Sequence, residues 1–210
     1  GSLANLQALR QGTAGAAFVR GGSADAQADG EAGITSLGAL FYEPLWVFYR
    51  SDALTQTAQA ATNNEANRRL AADARKPAPA PPLTTLLPLK GLRVNIDQPG
   101  SGVPDMLQRL LQANGLDTNT LVLSQLAPEA AAEALQGGLI DAMALVTAPE
   151  SPVVRQLLRA PGIALMDVAQ ADAYARRFPF LQPVTLPRGV VDLAADIPPH
   201  DVALLATTTS

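Results

Sequence analysis

An α/β fold, with strands and helices alternating around a parallel sheet that carries helices on both faces, is what this sequence predicts. Three observations predict it. From Leu89 onward, short apolar runs alternate with amphipathic helical patterns, separated by Gly, Pro and Asn. The stretch KGLRVNIDQPGSGVPDMLQRLLQANGLD ends an apolar run in Pro99-Gly100-Ser101-Gly102 and opens a helical pattern at once, the junction of a βα unit. Finally, 48% of the 210 residues are hydrophobic, and a chain of this size buries about 70% of its unfolded surface, so a substantial core is expected.

Leu3, Leu6 and Leu9 space a short amphipathic helix over 3–11 that stops at Gly12. Ala16 to Val19 reads as a buried strand ending at Arg20-Gly21-Gly22, and the small, polar residues 23–33 read as a loop. GITSLGALFYEPLWVFYR, residues 33–50, is the densest β signal, with a bend or a change of sheet expected at Pro44. Residues 52–75 lack an apolar stripe, and KPAPAPP over 76–82 is a stiff, extended spacer. The regular pattern that follows predicts strand 92–96, helix 102–114, strand 120–123, helix 127–136, strand 139–146, helix 150–159, strand 163–167 and helix 169–177. A short strand over 183–186 then lies in a Pro-rich loop, and residues 202–206 make a final buried strand.

Composition excludes several chemistries. The chain has no cysteine, which removes thiolate metal sites, thiol catalysis and disulfides. A single histidine, His200, argues against a His-based metal cluster or a Ser-His-Asp triad. A net charge of -4 argues against a nucleic-acid partner, and no cofactor fingerprint is present. Carboxylate pairs or a base beside a nucleophile are also lacking, so the enzyme case is poor.

What remains is binding chemistry. In the Gly100-Ser101-Gly102-Val103 loop, glycines let backbone N–H groups approach a ligand, and a helix starting there points unpaired N–H groups at the same spot. Carboxylate or phosphate fits; so does an ordinary turn with Ser101 as N-cap and Pro104 in the first helical turn. Arg20, with Gly21 and Gly22, is a second strand end running into glycines, where the guanidinium offers a donor fork or simply lies in solvent. Tyr42, Trp46 and Tyr49 invite stacking against a ligand, although a core strand is the commoner use of such residues. Glu43 before Pro44 either hydrogen-bonds a hinge or is exposed. Asp141, at the start of a strand, reads as a strand-edge cap more readily than as a catalytic acid.

Taken together these segments resemble the TAXI-type solute-binding proteins of TRAP transporters, which have the two-lobed, type II periplasmic-binding-protein fold. GLRVNIDQPGSGVPDMLQRLLQANGLD is similar to that family's GKRI…GPEGSGT…LL…NGI segment, and SLGALFYEPLWVFYR to its stretch before the interlobe crossover. EALQGGLIDAMALVTAPESPVVRQLL, NLQALRQGTAGAAFVRGG and the stretch from Ala173 to Thr208 also match. The resemblance implies a complete second lobe over 50–185, carrying an insertion over 53–85, and a partial first lobe made of 1–49 and 186–210. The family's opening strand–helix unit would precede Gly1, and its closing helical segment would follow Ser210.

It further implies hinge closure on a small organic anion of amino-acid or carboxylate class, membrane transporter subunits as partners, and a periplasmic or other extracytoplasmic location. No enzyme activity is implied. By position, the ligand shell falls on Gly100, Ser101, Gly102 and Val103 of one lobe, with Arg20, Gly21, Gly22 and Tyr42 opposite. Val103 stands where the family has threonine, and Arg20 where it has glutamine. An incomplete first lobe leaves a raw sheet edge, from which a homodimer is expected. The departures also fit a degenerate sensor or interaction domain that keeps the fold without a transport ligand.

Overall fold

The computed structural model describes residues 1–23, 26–54 and 82–209. Its strands are β1 (Phe41–Arg50), β2 (Arg93–Asn95), β3 (Val122–Ser124), β4 (Ala142–Val146), β5 (Ile163–Leu165), β6 (Leu181–Leu186) and β7 (Val202–Thr209). Its helices are α1 (Ser2–Arg10), α2 (Ala26–Glu31), α3 (Val103–Ala113), α4 (Pro128–Gln136), α5 (Pro152–Arg159) and α6 (Ala171–Arg177). The strands make one sheet in the order β3-β2-β4-β1-β7-β6, with β5 also paired to β1. Among the described residues no helix is long and apolar enough to cross a membrane.

The expected alternation is present from residue 92 to 177. Pro104, Pro128 and Pro152 each stand in the first turn of α3, α4 and α5, where a missing N–H costs no intrahelical bond and the fixed φ suits the helix. The sheet itself is mixed rather than parallel. Only β2 with β3 and β2 with β4 run parallel; β1, β5, β6 and β7 pair antiparallel. Hydrophobic runs announce buried strands, but they carry no information about the direction of a partner.

Side chains alternate across the sheet, so successive residues of one strand supply two cores. Leu45, Val47 and Tyr49 of β1, with Ala142 and Ala144 of β4, pack with Met106, Leu107, Leu110 and Leu111 of α3 and Tyr174 of α6. On the opposite face Trp46, Phe48, Met143 and Leu145 pack with Leu135 of α4 and Val153, Val154 and Leu157 of α5. Trp46 stacks on Phe48 with ring centroids 6.1 Å apart, and its indole N–H donates to the Thr147 carbonyl at 2.9 Å. The expected helices on both faces are therefore present, and Trp46 is a core residue.

The N-terminal portion departs from expectation at three places. Residues 16–19 form no strand, since among the described residues the segment meets the sheet only in a bridge from Arg20 to Thr209. Phe18 is accordingly exposed. Residues 23–33 contain the short helix α2 where a loop was expected. The β signal over 33–50 yields a strand only from Phe41, because residues 34–40 have no ladder partner. Pro44 does not break β1; it marks where the strand changes neighbours. Phe41 to Leu45 pair with β7, and pairing with β4 begins at Leu45. Residues 76–81 of the spacer and most of the insertion over 53–85 lie outside the described residues.

Candidate ligand-binding site

The two glycine loops singled out by the sequence come together at one corner of the sheet. One is the turn from β2 into α3. Gly100 and Gly102 both have positive φ, +81° and +84°, and Gly102 is the N-cap of α3. A Cβ on Gly102 would lie 2.8 Å from the Ser23 hydroxyl, so glycine at this point lets the other loop approach closely. The Ser101 hydroxyl accepts from the Val103 N–H at 3.3 Å, and the Ser101 N–H donates to the Gln98 carbonyl at 3.2 Å. The capping role is thus shared between the Gly102 backbone and the Ser101 side chain. The Gly102 N–H itself has no hydrogen-bond partner among the described residues.

Val103 is fully buried in the core around α3, and its N–H is taken by Ser101. A valine suits that place because its side chain is buried within the apolar cluster around α3. Asp97, which sequence reasoning passed over, precedes the loop with φ +66° and is buried, its carboxylate accepting from the Gln98 N–H at 2.7 Å. A non-glycine residue at positive φ is uncommon and flags a constrained backbone beside the site. An aspartate after a strand is otherwise a routine turn former, so the sequence gives no signal for it.

The opposing loop is pinned to the end of β7. The Gly21 N–H donates to the Thr208 carbonyl at 2.6 Å, and the Thr207 hydroxyl donates to the Gly21 carbonyl at 2.9 Å. Gly22, at φ +84°, lies against the Phe180 ring, whose carbons would be 2.8–3.0 Å from an added Cβ. Phe180 in turn sits under the Arg109 guanidinium, 5.9 Å from the ring centroid.

Arg20 crosses between the loops. Nη1 donates to the Ser101 carbonyl, and Nη2 to the Val146 carbonyl at the end of β4 and to Glu43 Oε2, both at 3.3 Å. Its Nε–H is buried without a partner among the described residues. Glu43 Oε2 also accepts from the Thr209 hydroxyl at 3.0 Å. The guanidinium is therefore not the free cation that the sequence suggested; its charge is met by Glu43 and two fixed carbonyls. The expected set thus divides. Gly100, Ser101, Gly102, Arg20, Gly21 and Gly22 gather here, Val103 supports the loop from the core, and Tyr42 stands more than half exposed at the start of β1.

Asp141 serves as the edge cap that its position suggested. It accepts from the Arg93 N–H and from both Nε and Nη2 of Arg93, at 2.6–2.9 Å. The Arg93 guanidinium holds its carboxyl below the usual carboxylate range, against the opposing effect of burial. Tyr49 is likewise structural, its buried hydroxyl accepting from the Leu83 N–H. Among the described residues no cluster of three or more His, Asp or Glu could hold a metal ion. Beside the site, a hollow of about 860 Å³ opens between residues 14–19 and 34–40. Its walls are largely apolar (Leu6, Phe18, Ile34, Leu37 and Leu40), and its acidic residue, Asp29, is paired with Arg10 at 2.6 Å.

Residues 78–208, well over half of the chain, match the NMT1-like family. Among solved structures, the periplasmic aliphatic sulphonate binding protein SsuA from Escherichia coli is similar at 21% identity and a TM-score of 0.44, over 84% of this chain and 54% of that one. The alkanesulfonate-binding protein SsuA from Xanthomonas axonopodis pv. citri, bound to MOPS, is similar at 18% identity and a TM-score of 0.44, over 85% and 55%. The amino acid ABC transporter substrate-binding protein AbpA from Streptococcus pneumoniae, bound to L-arginine, is similar at 13% identity and a TM-score of 0.42, over 97% and 58%. The chain spans little more than half the length of these structures.

Proposed function

The chain belongs to the NMT1-like family, and from that premise we propose that it is the binding portion of an extracytoplasmic receptor for a small organic anion of amino-acid or carboxylate class. The observation that carries the reading is the meeting of the two glycine loops. The α3 loop presents the unpartnered Gly102 N–H and the Ser101 hydroxyl, and the Arg20 guanidinium lies across from them. Such groups hold an oxyanion by preformed donors and carry out no reaction.

In this reading residues 50–185 form one lobe, and 1–49 with 186–210 contribute to the other. Ligand closes the lobes about the strands that join them. The motif resemblance assigns the receptor to a TRAP-type transporter, whose membrane subunits would read the closed form. A sensor or interaction domain without a transport ligand is the second reading. It is favoured by one observation: Arg20 is already neutralised by Glu43 of its own chain.

Thermal unfolding against glutamate, glutamine, succinate, malate, 2-oxoglutarate, citrate and phosphate tests the receptor reading. A ligand at a thousand times its dissociation constant stabilises the folded state by about 4 kcal/mol. One acid should raise the melting temperature, and the rise should vanish in Arg20→Ala and shrink in Ser101→Ala. If every acid leaves the wild-type protein unmoved, the receptor reading falls and the sensor reading takes its place.

A further inference from the structure

Arginine and carboxylate meet in two ways in this protein. In the pairs Arg93–Asp141, Arg188–Asp196 and Arg10–Asp29, both Nε and Nη2 reach the acid at 2.6–2.9 Å, closing the side-on fork of the guanidinium. Arg50 likewise directs both nitrogens at Asp52. These are the short, charge-assisted contacts that a fork and a carboxylate make when nothing opposes them. Arg20 differs. The Arg20 Nη2 reaches Glu43 at 3.3 Å, while the adjacent Nε–H, the other tine of the same fork, is buried and has no partner among the described residues. A buried donor without an acceptor is costly, so the resting arrangement leaves binding capacity unused.

The partners of Arg20 also differ in how easily each can leave. The Ser101 and Val146 carbonyls are backbone, fixed by the α3 loop and by the end of β4. Among the described residues Glu43 is the only side chain that accepts from the guanidinium, and it is steadied by the Thr209 hydroxyl on the same oxygen that faces Arg20. A rotamer change of Glu43 would open the Nε/Nη2 edge without disturbing the sheet.

We infer that Glu43 is a tethered stand-in for the ligand's carboxylate: it half-occupies the Arg20 fork in the empty protein, and an incoming anion binds by displacing it. This deepens the receptor reading and rests on it for the identity of the incoming group. Glu43 is then a determinant of affinity and selectivity. It raises the threshold for weak monocarboxylates and favours ligands able to close the whole fork.

Acetate tests this directly, as an untethered carboxylate. The melting temperature of the wild type, Glu43→Ala, Glu43→Gln and Glu43→Ala/Arg20→Met is followed against sodium acetate, with sodium chloride matching the ionic strength. Acetate is expected to stabilise Glu43→Ala and Glu43→Gln saturably, with an affinity about tenfold or more above the wild type, and to do nothing specific for the double variant. Glu43→Gln keeps the side-chain volume, so the test survives a poorly folded alanine variant. If neither single variant gains acetate-dependent stabilisation over the wild type, the inference is overturned. That failure is separable from failure of the receptor reading. Acetate rescue with a wild type silent to every acid upholds the stand-in and removes the receptor. A wild type that binds an acid, with no acetate gain in either variant, does the reverse.

Discussion

Alanine at Gly100 and at Gly22 should separate two costs that glycine avoids. Both residues have nearly the same backbone angle, φ +81° and +84°. Both variants therefore place an L side chain in the left-handed region, which costs about 1–2 kcal/mol, less the few tenths recovered from a stiffer unfolded chain. Their surroundings differ. Nothing lies within 4 Å of a Cβ on Gly100, whereas one on Gly22 would meet three carbons of the Phe180 ring at 2.8–3.0 Å. That ring is held by Phe178 at 5.7 Å and by Arg109, so it has little freedom to retreat, and overpacking of this kind costs about 1–3 kcal/mol more. Gly100→Ala should then lose about 1 kcal/mol and Gly22→Ala about 2–4 kcal/mol. In a chain of this length those losses are about 2–4 °C and about 5–15 °C in melting temperature. Urea midpoints with unchanged slopes are the assay, and Phe180→Leu should recover part of the Gly22→Ala loss. Equal losses for the two alanines, or no recovery with Phe180→Leu, would refute the steric reasoning.

Further outcomes follow from the cap and the core. Because the folded pKa of Asp141 lies below its unfolded value, its contribution is full above the unfolded pKa, about 3.9, and is lost as pH falls through the folded one. Asp141→Asn should therefore lower the urea midpoint at pH 7, and its difference from the wild type should shrink as the buffer is taken below about pH 4. A difference constant with pH would show that Arg93 does not act through the charge. Leu157→Ala, in the fully buried face of α5, should cost about 2–5 kcal/mol without altering any ligand response, since its neighbours belong to the core opposite α3.

Residues 92–177 were legible because most elements there announce themselves locally: proline in the first turn of α3, α4 and α5, asparagine after α3 and glycine after α4, and apolar runs too short for a helix. Of the N-terminal forty residues only the helix expected over 3–11, observed as Ser2–Arg10, was legible. Ala16 to Val19 has strand composition, yet a strand exists only where a neighbour supplies its hydrogen bonds, and that neighbour cannot be read from the segment itself. The antiparallel entry of β1 and β7 was hidden for the same reason, since Phe41 pairs with Thr209 across most of the chain. Both glycine loops were legible as candidate sites. The state of Arg20 was not, because its acceptors come from positions 43, 101 and 146, which no local pattern connects.

Pro44 links that hidden arrangement to the sheet. It has no N–H to offer, and the ladder between β1 and β4 starts only at the next residue, Leu45 opposite Val146. The corner beyond Val146 is therefore open on that side of β1. Arg20 fills it, taking the Val146 carbonyl that ends β4 and the Glu43 side chain just before the proline. Leu45 is paired with Leu205 of β7 as well as with Val146. Anything that draws Arg20 away from Glu43 thus acts at the point where β1 hands over from one neighbour to another.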